Sequence, residues 1–152
     1  MLRGGRVIDP ATGTDAVRDV SIRDGRVAAV AEPGSLAAAS DWEVRNVAGR
    51  LVTPGLVDLH GHWYLGSVYG VDISVNLRGG VTTTVDAGTA GYVTWASYRA
   101  QSIATAPLRA LAFLNVSALG FLYSLAGEME DRRYARPKET AALIREDRDT
   151  MS

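Results

Sequence analysis

Cysteine is absent from the 152 residues, and with it go disulfides, thiolate nucleophiles and every zinc site built on sulfur. Any metal must be held by histidine and carboxylate. Histidine itself occurs only as His60 and His62, and lysine only as Lys138, so imidazole and amine chemistry have few carriers. No excess of either charge exists. Sixteen basic side chains face 17 acidic ones, and a formal net charge of -1 gives no electrostatic reason to expect nucleic acid or an anionic membrane as partner. A small molecule is the expected ligand. A long uninterrupted apolar run is missing too: residues 108–126 come nearest, but Arg109, Asn115, Ser117, Gly120 and Ser124 break a stretch that would need roughly 20 mostly apolar residues to span a bilayer. That stretch reads as buried core. The opening Met1-Leu2-Arg3-Gly4-Gly5-Arg6 lacks the apolar centre of a secretory signal, and a cytoplasmic setting is expected.

A hydrophobic content of 47% is enough to fill one core. In the first third, short β-like runs alternate with turn signals: residues 6–8, then Asp9-Pro10-Ala11-Thr12-Gly13, then 17–23, Asp24-Gly25 and 26–30. Asp24-Gly25 predicts a two-residue hairpin turn, because both central positions need positive φ, which glycine adopts freely and aspartate tolerates. Residues 1 to about 50 are therefore expected to form a small antiparallel sheet. The texture changes from residue 51. Apolar runs at 56–59, 81–85 and 110–116 recur at the spacing of a βα unit, with helices predicted over 94–104 and 137–149. Gly79-Gly80 is a helix stop. Residues 51–152 thus read as about three βα units of a parallel α/β layer, where a complete eight-unit barrel takes about 250 residues.

His60 and His62 stand two apart at the end of the first of these strands. Side chains i and i+2 of a strand project to one face, so both imidazoles can converge on one ion from a rigid element. Neutral imidazole suits zinc and similar divalent metals. Taken alone, His-x-His is also compatible with a surface pair.

The run Val52-Thr53-Pro54-Gly55-Leu56-Val57-Asp58-Leu59-His60-Gly61-His62 resembles the first barrel strand of the amidohydrolase superfamily, Pro-Gly-aliphatic-aliphatic-Asp-x-His-x-His. The preceding Gly5-Arg6-Val7-Ile8-Asp9 and Asp24-Gly25-Arg26-Val27 are similar to the small N-terminal sheet of these enzymes. The resemblance implies an incomplete (β/α)8 TIM-type barrel preceded by that sheet. It implies zinc, one or two ions in the complete enzyme, with His60 and His62 as ligands and Asp58 supporting an imidazole from behind; Asp58 could equally cap a backbone turn. The activity implied is hydrolysis of an amide, cyclic amide or N-acyl compound by metal-activated water. Dihydroorotases commonly carry arginine two residues after the second histidine and asparagine after the second strand. Here these places read Tyr64 and Asp86-Ala87-Gly88, so a deacetylase-like branch fits better.

The first motif consumes both histidines, and Lys138, at the start of a predicted helix, is badly placed to bridge metals. Asp86 ends the second strand on the side of the site, although its spacing to Gly88 and Gly91 is equally that of a turn. No catalytic residue is assigned. The chain is expected to be an incomplete N-terminal portion of the enzyme, inactive alone, with strand 110–116 an open apolar edge that pairs with another chain. The alternative is a non-catalytic scaffold that kept the first strand.

Overall fold

The structure is a computed structural model that describes residues 1–123 and 127–151. The last three residues of the apolar stretch 108–126 lie outside the described residues. The chain divides into two compact units, Met1–Pro54 and Gly55–Ser152.

In the first unit, β1 (Leu2–Asp9), β2 (Thr14–Arg23) and β3 (Arg26–Ala31) form an antiparallel meander. Asp24 at φ 52° and Gly25 at φ 72° turn the chain between β2 and β3, and Arg23 pairs with Arg26 across the turn. Both central residues have the positive φ that matches the twist of a hairpin. The sheet is mixed, not purely antiparallel as expected, because β4 (Arg45–Asn46) and β5 (Leu51–Val52) return beside β1 in its own direction. For the same reason Leu51 and Val52 belong to this sheet and not to the next layer. Buried Asp19 on β2 accepts the N–H groups of Gly4 and Gly34 at 2.9 and 2.8 Å. These two bonds, that from Gly34 foremost, hold its carboxyl below the usual carboxylate range.

The second unit alternates strands and helices. In order these are β6 (Leu56–Gly61), α1 (Val75–Arg78), β7 (Val81–Gly91), α2 (Trp95–Tyr98, continued as a π turn Arg99–Ile103), β8 (Arg109–Asn115) and α3 (Pro137–Glu146). The three strands form a parallel sheet in the order β6-β7-β8. Along β8, Ala110, Ala112 and Leu114 are buried while Arg109 and Phe113 are exposed, the period of two of a strand covered on one face. That buried face packs with Trp95 and Tyr98, and with the partly buried Leu143 and Ile144 of α3. Strand β8 ends the sheet, where the sequence placed an open edge, and carries one isolated bridge on its outer side. Ala112 of β8 is met in parallel by Met151, its N–H donating to Thr150 O at 2.9 Å. Strand β6 has a neighbour on one side only among the described residues, and there Leu56, Val57 and Leu59 are 54%, 58% and 68% exposed. No helix among the described residues is long and apolar enough to cross a membrane.

Candidate metal centre

Two irregularities in the parallel sheet shape the site. In the first, Asp58 pairs with Thr84 and Gly61 with Asp86, so β6 carries one residue more than β7 over this span. A bulge of this kind re-aims the side chains that follow it. Across it, Asp58 Oδ1 accepts the backbone N–H of His60 at 3.1 Å. This bond goes to the backbone and not to an imidazole, which is the turn-capping role the sequence left open for Asp58. His60 ends up exposed and His62, one residue past β6, half-buried, with ring centres 5.6 Å apart and planes near perpendicular at 88°.

The second irregularity lies in β7, where Ala87 pairs with Phe113 and Gly91 with Asn115, so the strand bulges through residues 88–90. Gly88 takes φ 89°, a backbone state that suits glycine. Three hydrogen bonds clamp the bulge. Asn115 Nδ2 donates to Gly88 O at 3.0 Å, Thr89 N–H donates to Asp86 Oδ1 at 2.6 Å, and Phe121 N–H donates to Thr89 O at 2.8 Å. Held this way, the Thr89 hydroxyl lies 2.8 Å from His62 Nδ1.

Asp86 does not line the site as the sequence reading allowed. It is fully buried and pairs in parallel register with Ala112, so it shares the face covered by α2. Its carboxylate accepts the N–H of Trp63 at 2.7 Å as well as that of Thr89, joining the chain after His62 to the bulge of β7. Tyr64 is also turned inward. Its ring packs on Tyr98, and its hydroxyl donates to Ser97 Oγ at 3.1 Å.

Beside His62 stands Phe121, 5.4 Å between centres, itself stacked on Tyr69 at 4.1 Å. Ser67 Oγ donates to Phe121 O at 2.8 Å and fixes this aromatic wall. Thr89 and Phe121 went unnoticed in the sequence. A hydroxyl within the glycine-rich Asp86-Ala87-Gly88-Thr89-Ala90-Gly91 was the available hint for the first, and nothing local marks the second. As a donor set, two neighbouring imidazoles fit two positions around one divalent ion. Among the described residues no group of three or more histidines and carboxylates could hold an ion by itself. Lys138 sits exposed in the first turn of α3.

A small β-sheet unit is followed along the chain by a parallel βα layer with two histidines at the end of its first strand. No family model matches the chain. It is 56% identical over 61 residues to a dihydroorotase of Anaeromyxobacter dehalogenans, covering 40% of this chain and 14% of that protein. It is 36% identical over 115 residues to a deacetylase of Brucella anthropi, covering 72% of this chain and 27% of the relative. The solved structure of a dihydroorotase matches 99% of this chain and 40% of its own, with a TM-score of 0.83 and 27% identity. The chain belongs to the amidohydrolase superfamily and matches the N-terminal portion of its members.

Proposed function

We propose that the chain forms the first part of a zinc-dependent amidohydrolase barrel, in which His60 and His62 are two of the metal ligands. The reaction is hydrolysis of a non-peptide C–N bond in a small amide, cyclic amide or N-acyl substrate. The observation that carries this reading is the pair of imidazoles 5.6 Å apart at the end of the first parallel strand. In parallel α/β barrels, active sites gather at that end of the strands.

The chemistry a bound divalent ion supplies at such a site is activation of water near neutral pH and polarisation of the substrate carbonyl. His60 and His62 would hold the ion, and Asp58 braces the bulge between them. Phe121, stacked on Tyr69, packs beside the His62 ring. A catalytic zinc normally takes three protein ligands, so further ligands and a proton-transferring carboxylate would be needed beside the two histidines to complete the site. A deacetylase-like substrate is favoured over dihydroorotate. Support comes from the 115-residue span of similarity to a deacetylase and from Tyr64, which is committed to Ser97 and Tyr98.

The test is zinc calorimetry on the purified chain beside assays on acylated amino acids and cyclic ureides. Weak zinc binding lost in both His60→Ala and His62→Ala, without turnover, is the expected outcome. Turnover abolished by His60→Ala would overturn the partial-site reading, and zinc binding indifferent to both substitutions would overturn the metal reading.

A further inference from the structure

We infer that Thr89 is a positioning residue that sets which nitrogen of His62 is offered to the metal, an inference that rests on the metal-centre reading above. A neutral imidazole carries one proton, and a hydroxyl beside one nitrogen can accept that proton or donate to the bare nitrogen; the arrangement that frees the other nitrogen for a metal is the one in which the hydroxyl accepts. The Thr89 hydroxyl lies 2.8 Å from Nδ1 of His62. With Nδ1–H donating to Thr89 Oγ1, the Nε2 lone pair is left for the ion. The opposite tautomer would present N–H where a ligand is needed.

Thr89 has the rigidity this task requires. It is fully buried, and both its backbone polar groups are engaged, the N–H with Asp86 and the carbonyl with Phe121. The carbonyl before it is held by Asn115. The extra residues of the β7 bulge lift Thr89 out of the regular ladder and bring it to the strand end of β6. Meanwhile Asp86 anchors Trp63, the residue after His62, to the same bulge, so both ends of the Thr89–His62 bond refer to one carboxylate. Phe121 against the imidazole limits its rotation. Outer partners of this kind fix the tautomer and orientation of metal-binding histidines, and their loss typically weakens metal affinity 10–100-fold.

The experiment is long-range 1H–15N NMR of the histidines in the full chain at about pH 8, where unperturbed imidazoles are neutral, followed by titration with zinc chloride. In the unaltered chain His62 should appear protonated at Nδ1, with a slowly exchanging proton, and bare at Nε2. Thr89→Val should lose that preference and bind zinc about tenfold more weakly, while Thr89→Ser keeps both properties. The proton-exchange measurement needs no substitution and so stands even if Thr89→Val fails to fold. His62 protonated at Nε2 in the unaltered chain overturns the inference, and so does a Thr89→Val chain unchanged in tautomer and affinity. Zinc that shifts neither histidine, with the tautomer preference intact, overturns the metal-centre reading instead.

Discussion

The Asp86 carboxylate accepts the backbone N–H of Trp63 at 2.7 Å, so the residue that follows the second histidine is tied to strand β7 from beneath. The same carboxylate holds Thr89 N–H at 2.6 Å, and it is fully buried. Each buried donor left without an acceptor costs about 1–3 kcal/mol. Asp86→Asn keeps one acceptor oxygen and turns an amide N–H₂ toward a donor, so a loss of about 1–3 kcal/mol is expected, with roughly double that for Asp86→Ala. Urea unfolding followed by tryptophan fluorescence measures both. Equal stability of the three chains would show that the two bonds carry no weight.

Gly91, at the end of the β7 bulge, has no room for a side chain, since a Cβ there would collide with the carbonyl oxygens of Ser117 and Ala118. Backbone atoms cannot swing aside as a flexible side chain can. Gly91→Ala should therefore lose about 1–3 kcal/mol, the usual range for overpacking. Thermal unfolding by circular dichroism checks this, and an unchanged midpoint contradicts the packing described.

Acid should act on the first sheet through Asp19. Its folded carboxyl is held low by the N–H groups of Gly34 and Gly4, while in the unfolded chain it titrates near about 3.9. The folded state binds the proton less readily than the unfolded state. The stabilisation is therefore complete above the unfolded value and lost as pH falls through the depressed folded one. Fluorescence of Trp42 reports this unit, and Asp19→Asn should flatten the acid limb of its unfolding curve. The Asp15 carboxyl, lowered by its pairing with Arg6, leaves a residual slope.

Alkali should act on the second unit through Tyr98. Burial, with the charge of Asp86 behind it, pushes the phenol above its usual range. A raised folded value means that its contribution is whole below about pH 10 and lost as pH rises further. Tyr98→Phe should remove this limb. At neutral pH the change should stay within the worth of one hydrogen bond, about 0.5–1.5 kcal/mol, because the hydroxyl approaches the Asp86 carboxylate without reaching full hydrogen-bond geometry. A large neutral-pH loss in Tyr98→Phe would show that the hydroxyl is satisfied after all.

The uncovered strand β6 should govern association. Val57 and Leu59 stand exposed on a strand that has one neighbour among the described residues, and such an edge invites pairing with another chain. Leu59→Lys is expected to reduce aggregation of the purified chain, as read by light scattering at increasing concentration. Association unchanged by the lysine would place the sticky surface elsewhere.

The sequence by itself determined the features governed by near neighbours along the chain. Positive φ at Asp24 and Gly25 follows from their side chains alone, so the hairpin was legible. Pro137 marked the start of α3, and Gly79-Gly80 marked the end of α1. The three parallel strands followed from the recurrence of short apolar runs at βα spacing. The strand-end His60 and His62 pair was legible from the His-x-His spacing and from its resemblance to a known barrel strand. What only the tertiary structure decided depends on partners far along the chain. The mixed character of the first sheet is one case, since nothing local tells β4 and β5 to run alongside β1 in its own direction. The bulges of β6 and β7 are another, because a bulge is defined by the residue count of the opposing strand. From the bulge of β7 follows the reach of Thr89 to His62, while Asp86 turns under α2 through its regular pairing with Ala112. Phe121 comes to the imidazole by tertiary packing, as does Met151 to its single bridge with Ala112 on β8. Dihedral preference and hydrophobic period act over a few residues, whereas register and burial are set by whichever strand lies alongside.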